Sequence, residues 1–217
     1  MDLKRYIFAA FPFVLSIVPH ANAGVLYNNI GAQAYFADHI TDTGAQAFGP
    51  LYASFSTGGY ASILTDLQLR LGVDDPADGG SVTVSLLSNA GLHPGGLLAS
   101  LGTVLDSTLS SAQSSMIDIP IGTPIALAAD TRYWIQLSSD NTSATWAYSF
   151  DLSGTGVAGE YYDNADGVYP NNSSEWPGGY QMFVTAVPEP LSVALFLSGL
   201  VGIGVMRRRN AGGAVNT

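Results

Sequence analysis

The 217 residues carry seventeen Asp and Glu against seven Lys and Arg, with no cysteine and 47% hydrophobic side chains. Five of the seven basic residues flank two apolar stretches at the ends, so Gly24 to Ala186 keeps Arg70 and Arg132 against fifteen acids, a net charge of −13. Phosphate backbones would repel such a body, which excludes nucleic acid as a partner, and without cysteine its fold must rest on burial with no disulfide.

The chain opens MDLKRYIFAAFPFVLSIVPHANA. Lys4 and Arg5 give a positive start, Ile7 to Val18 an apolar run, and Ala21-Asn22-Ala23 an A-x-A site. In that order they make a secretory signal peptide. Residues 1–23 are therefore expected to form a signal helix, with signal peptidase cutting between Ala23 and Gly24. The body that follows, 24–186, is of ordinary single-domain size at about 160 residues.

Within that body the recurring pattern is alternation, and no long stretch has helical periodicity. Phe48–Phe55 is the first expected strand. Leu67, Leu69 and Leu71 then alternate with Asp66, Gln68 and Arg70, and Val82, Val84 and Leu86 with Ser81, Thr83 and Ser85. Leu97–Leu105 and Met116–Ile119 follow. Tyr133, Ile135 and Leu137 alternate with Trp134, Gln136 and Ser138. Trp146, Tyr148 and Phe150 repeat the pattern, as do Tyr180, Met182 and Val184. Period two with one apolar face predicts half-buried strands. Thr57-Gly58-Gly59, Asn89-Ala90-Gly91, Pro94-Gly95-Gly96 and Trp176-Pro177-Gly178-Gly179 are among the turns between them. Strands at this spacing without intervening helices predict an all-β, antiparallel β-sandwich, jelly-roll-like in its strand number.

The loop Asp74-Asp75-Pro76-Ala77-Asp78-Gly79 puts three carboxylates close together in sequence, and calcium favours clustered oxygens. Laid on an EF-hand loop it fails at the third position and has Ser85 in place of the closing glutamate. Asp74, Asp75 and Asp78 are thus candidates for a calcium site, and Asp-Pro-Gly turn chemistry also accounts for them. No other cofactor is expected.

The segments "TGGYASILTDLQLRL", "SVTVSLLSNAGLHPGGLLASLGT" and "LAADTRYWIQLSSDNTSATWAYSF", within Thr57 to Phe150, resemble the choice-of-anchor R ectodomain. That family keeps company with varied surface anchors. The resemblance implies an architecture and an address, and it carries no activity.

Catalytic signals are sparse. The body has two histidines, His39 and His93, and lacks G-x-S-x-G, H-E-x-x-H and a phosphate-binding glycine loop. His39 follows Asp38, a possible base with its orienter, and His93 lies in a turn. Glu160 with Asp163, or Asp166 with Glu175, could form a glycosidase pair, although nothing in the spacing fixes their separation. The chain is therefore expected not to be an enzyme. The aromatics Tyr161, Tyr162, Tyr169, Trp176 and Tyr180 gather late among Asn and Gly, a composition suited to carbohydrate contact. Tyr133, Trp134 and Trp146 are expected to pack.

The chain ends VPEPLSVALFLSGLVGIGVMRRRN followed by seven residues. Leu191 to Met206, apolar apart from two serines, would reach ~24 Å as a helix, a marginal transmembrane span. Arg207, Arg208 and Arg209 would remain cytoplasmic, leaving the body on the far side of the membrane. Pro188-Glu189-Pro190, the apolar helix and the arginine cluster together resemble a PEP-CTERM sorting signal over residues 187–210, with 211–217 as a cytoplasmic tail. The resemblance implies processing by an exosortase in a Gram-negative, exopolysaccharide-making bacterium. The protein would be held briefly at the inner membrane and then displayed at the cell surface or released. The expected function is that of a non-enzymatic structural or adhesive surface or matrix domain. A carbohydrate-binding module of the extracellular polysaccharide layer is the alternative, and a secreted hydrolase a third.

Overall fold

The computed structural model describes residues 23–41, 48–139, 141–172 and 178–189, which belong to one compact unit ending at Glu189. The expected signal helix, the transmembrane helix, Ala21, Pro190 and Arg207 to Arg209 lie outside the described residues. Among those described, no helix is long and apolar enough to cross a membrane.

The described residues form two sheets in which every strand pairing is antiparallel. The first runs β1 (Gly24–Asn28), β14 (Met182–Pro188), β4 (Ser62–Val73), β10 (Ala144–Ser149), β13 (Gly179–Tyr180). Three short strands join it: β2 (Phe36–His39) on β10, and β7 (Ser115–Ile119) and β8 (Ile125–Leu127) on β4. The second runs β12 (Gly167–Pro170), β11 (Tyr161–Asn164), β3 (Leu51–Ser56), β9 (Arg132–Ser138), β5 (Ser81–Ala90), β6 (His93–Leu105).

The alternating runs explain why the sheets meet. Period two turns one set of side chains to one face. Leu67, Leu69 and Leu71 of β4, Val82, Val84 and Leu86 of β5, Ile135 and Leu137 of β9, and Met182 and Val184 of β14 are all fully buried in one core. With no disulfide available, that apolar burial carries the fold, at roughly 25 cal/mol per Å² removed from water.

Two glycine-bearing segments divide as turn and strand. The β5–β6 hairpin closes over Gly91 and Leu92, with Ala90 paired to His93. Gly91 has φ +72°, a backbone state that favours glycine in tight hairpins. Pro94-Gly95-Gly96, expected as a turn, instead lies inside β6. Two features allow this. β6 is the outer strand of its sheet, where a missing proline N–H is tolerated. A Cβ on Gly95 would also sit 2.5 Å from Ser88 Oγ, so only glycine lets the strands approach there.

The last strand continues past Ala186. Val187 pairs with Ile63 and Pro188 with Ser62, and Glu189 N–H donates to the Ala61 carbonyl at 2.9 Å. Because that bond faces β4, the Pro188 nitrogen faces the opposite side. On that side the β1 ladder, among the described residues, ends at Gly24 opposite Ala186, short of Pro188. The first two residues of the Pro-Glu-Pro segment are therefore extended by pairing at the end of a sheet.

Leu69→Ala should cost about 2–5 kcal/mol of unfolding free energy, because it opens a cavity between the sheets. Leu97→Ala on β6, where Leu97 is 65% exposed, should stay within about 0.5 kcal/mol. Urea denaturation of the two variants checks the pair.

Candidate functional site

The chain breaks stride at Gln181, which separates β13 from β14. Its carbonyl accepts the Trp146 indole N–H at 2.9 Å and the Arg70 backbone N–H at 3.1 Å. Its side-chain amide donates to the carbonyls of Asn29 and Ala32 at 3.0 and 2.8 Å. These bonds fix the Trp146 ring, on which Tyr180 stacks with centroids 4.7 Å apart and planes at 14°. Both rings are fully buried. The Tyr180 hydroxyl reaches out of the core and donates to Asp38 Oδ2 at 2.6 Å, a charge-assisted length.

Above this stack the rings continue outward. Tyr148 and Tyr162 meet Tyr180 edge to face at 5.8 and 5.7 Å. Tyr169 stacks on Tyr162 at 5.3 Å. Phe150 meets Tyr148 edge to face, and Phe36 meets Phe150. The outer rings border a cleft of about 260 Å³ lined by Phe36, Asp38, Phe48, Tyr148, Phe150, Tyr162, Asn164, Asp166 and Tyr169. Phe36 is 64% exposed at its mouth. The cleft draws β2 and β10 from one sheet and the β11–β12 hairpin from the other.

The hairpin tip carries the polar half of the lining. Asn164 pairs with Gly167, and Asn164 Oδ1 accepts the Asp166 N–H at 3.0 Å, an Asx turn of the kind asparagine favours. The Tyr169 hydroxyl donates to the Asp166 carbonyl at 3.1 Å, and Ala165 N–H donates to the Phe48 carbonyl at 2.9 Å. Asp166 is thereby held at the rim.

Burial first, with the Asp38 charge among the lesser causes, holds the phenols of Tyr148, Tyr162 and Tyr180 above their ordinary range. All three stay neutral at working pH. Tyr148 and Tyr162 sense one another without meeting in sound hydrogen-bond geometry. The buried Tyr148 hydroxyl has no hydrogen-bond partner among the described residues, an unusual state for a buried polar group.

No family model matches this chain, and no curated protein matches it. Among solved structures it is similar to the cysteine protease and lectin-like domains of Cwp84, a surface layer associated protein of Clostridium difficile. The identity is 14% and the TM-score 0.45, over 64% of this chain and 32% of that one. The chain thus spans about a third of that structure's length, and a likeness this distant carries no functional argument.

The late aromatics read from the sequence divide into separate roles. Tyr162 and Tyr169 line the cleft. Tyr180 is fully buried and supports the floor without being open to contact. Tyr161 lies beneath the Arg132 guanidinium at 4.7 Å, away from the cleft lining. Trp176 lies outside the described residues. Phe36, Phe48, Tyr148, Phe150 and Asn164, which also line the cleft, carry no binding signal in the sequence, and Asp38 stands out there only as the neighbour of His39. Phe150 and Tyr148 carried the period-two signal but read only as core. Trp134 and Trp146 are fully buried, as packing residues should be.

The carboxylates read from the sequence as acid pairs go to different places, and of those described Asp166 alone lines the cleft. Glu160 is buried and accepts Arg132 Nε–H at 2.8 Å and the Ser54 hydroxyl at 2.5 Å, so it serves an internal ion pair. Asp163, in β11, is raised above the ordinary carboxylate range by burial. Glu175 lies outside the described residues. His39 turns from Asp38 and pairs with Asp74 at 2.9 Å.

In the acidic loop, Asp75 Oδ1 accepts the Ala77 N–H and Asp78 Oδ1 the Gly80 N–H; the latter bond holds Asp78 below the ordinary range. Among the described residues no group of three His, Asp or Glu side chains is placed to hold a metal ion. Asp74, Asp75 and Asp78 each accept a separate hydrogen bond.

Tyr180→Phe keeps the stack on Trp146 and deletes the bond to Asp38. It should cost about 1.5–3 kcal/mol, the scale of a hydrogen bond to a charged group. Equilibrium urea unfolding of wild type and variant reads the difference.

Proposed function

We propose that this chain is an exported, non-enzymatic surface or matrix protein whose β-sandwich holds carbohydrate in the aromatic cleft. The observation that carries the reading is the lining itself: rings from Phe36, Tyr148, Phe150, Tyr162 and Tyr169 beside Asp38, Asn164 and Asp166. Sugar rings present apolar C–H faces that pack on aromatic planes and hydroxyls that need fixed acceptors and donors. A mostly apolar concavity with a few placed polar groups supplies both. Solvent-facing Phe36 extends the ring lining to the mouth of the concavity, where a ligand can reach it.

Export and anchoring rest on the sequence. Two apolar ends bordered by positive charge favour a membrane over water and orient the acidic body away from the cytoplasm. The Pro188-Glu189-Pro190 segment with Arg207, Arg208 and Arg209 supports exosortase processing. Cleavage there would release a body whose last strand is already paired through Pro188.

Two experiments test these halves. In affinity electrophoresis through polysaccharide-containing gels, the full-length chain in a detergent without a sugar headgroup should be retarded. Phe36→Ala should lose most of that retardation, at least about tenfold in affinity, while its circular dichroism is unchanged. Equal retardation of the variant would place binding elsewhere. Intact mass of the protein from each cell fraction should give a species beginning at Gly24 and lacking the residues beyond Pro190. A surface fraction still carrying its arginines would contradict processing.

A further inference from the structure

We infer that the cleft selects glycans bearing a free, protonated amino group over neutral or acetylated ones. The inference rests on the carbohydrate reading above and names the ligand class. Its first ground is charge. Asp38 and Asp166 both line the cleft, and no cation lines it with them. Gly24 to Glu189 contains two arginines, and both are engaged elsewhere. Arg132 donates to Glu160 and to the Gly159 carbonyl. Arg70 donates to Ser114 and to the carbonyls of Ile30 and Ala32. His39, next to Asp38 in sequence, is taken by Asp74.

The second ground is the rings. An aromatic face carries the negative lobe of its quadrupole and attracts a cation within about 6 Å of the centroid, an effect that grows as water is displaced. The cleft joins Phe36 of β2, Tyr148 of β10, Phe150 just past it, and Tyr162 and Tyr169 of the β11–β12 hairpin, with Phe48 beside them. Rings and carboxylates thus favour the same sign of ligand charge. A uronate would meet two carboxylates and no counter-charge. A hexosamine could stack its C–H face on the rings and turn its ammonium group toward Asp38 or Asp166.

A third ground is the reach of the Asp38 charge. Tyr148, Tyr162 and Tyr180 all lie within its field, from the cleft wall down to its floor. The Tyr180 hydroxyl satisfies part of one Asp38 oxygen and leaves remaining acceptor capacity on that carboxylate, which has up to four lone-pair sites.

The test is a matched series: the β-1,4-linked tetramers of glucosamine, N-acetylglucosamine and glucose. They differ only at C2, which carries an ammonium, an acetamide or a hydroxyl group. Isothermal titration of the full-length chain at about pH 5, where sugar amines are protonated and ordinary carboxylates are still ionised, should show the glucosamine tetramer binding about tenfold tighter than either partner. Asp166→Asn, altered at an exposed turn, should shrink that ratio to about threefold or less, and Asp38→Asn should do the same. Raising the salt concentration should weaken only the glucosamine tetramer.

Equal affinity for all three tetramers would overturn the inference and leave the carbohydrate reading standing. Tighter binding of the neutral or acetylated tetramer, or an undiminished ratio in both Asp variants, would overturn it as well. No binding of the glucosamine tetramer overturns it outright, and binding of none of the three by a chain that also ignores polysaccharide gels removes the carbohydrate reading with it.

Discussion

The arrangement depends on one buried contact, the stack of Tyr180 on Trp146. It is held from one side by the Trp146 indole N–H on the Gln181 carbonyl, and from the other by the Tyr180 hydroxyl on Asp38. The first bond satisfies a donor that burial would otherwise leave orphaned. The second joins the floor of the core to β2, a strand that among the described residues pairs with β10 alone. The same contact that closes the core at this end positions the acidic wall of the cleft. In a chain with no cysteine, such packed polar anchors do the local work that a cross-link would otherwise do.

The sequence revealed the fold better than the site, for a physical reason. Alternation is local, so Leu67, Leu69 and Leu71 or Val82, Val84 and Leu86 disclose a buried face without knowledge of what lies opposite. Short strands rich in turn residues do not. β11 and β12 contain Asp163, Asn164 and Gly167, residues that favour turns, and the hairpin read as a loop. Pro94, Gly95 and Gly96 misled in the opposite direction, because an edge position and a close approach to Ser88 admit residues that an inner strand would reject. β2 is four residues long, too short to show a period.

The site was half legible. The late tyrosines were visible as a composition, but composition does not say which ring faces which way. Adjacent residues in a strand point to opposite faces, so Tyr161 goes under Arg132 while Tyr162 joins the cleft. Phe36 and Asp38 come from a strand more than a hundred residues earlier, brought near by pairing Asp38 opposite Trp146. No local pattern encodes that proximity. The acidic charge was evident from the start, and its meaning changed with structure. Glu160 balances Arg132 inside the protein and Asp74 meets His39, while Asp38 and Asp166 remain at a concave surface without a basic partner in its lining.

The central claim is that the ring-lined concavity between the two sheets is where this domain meets its glycan. Aromatic side-chain NMR spectra recorded while a binding oligosaccharide is titrated in would address it most directly. The account predicts that the resonances of Phe36, Phe150 and Tyr169 move together and saturate at one affinity, while those of Trp134 and Tyr161 stay in place. Shifts centred on Trp134, Tyr161 or the outer strand β6, with the cleft rings unmoved, would contradict it.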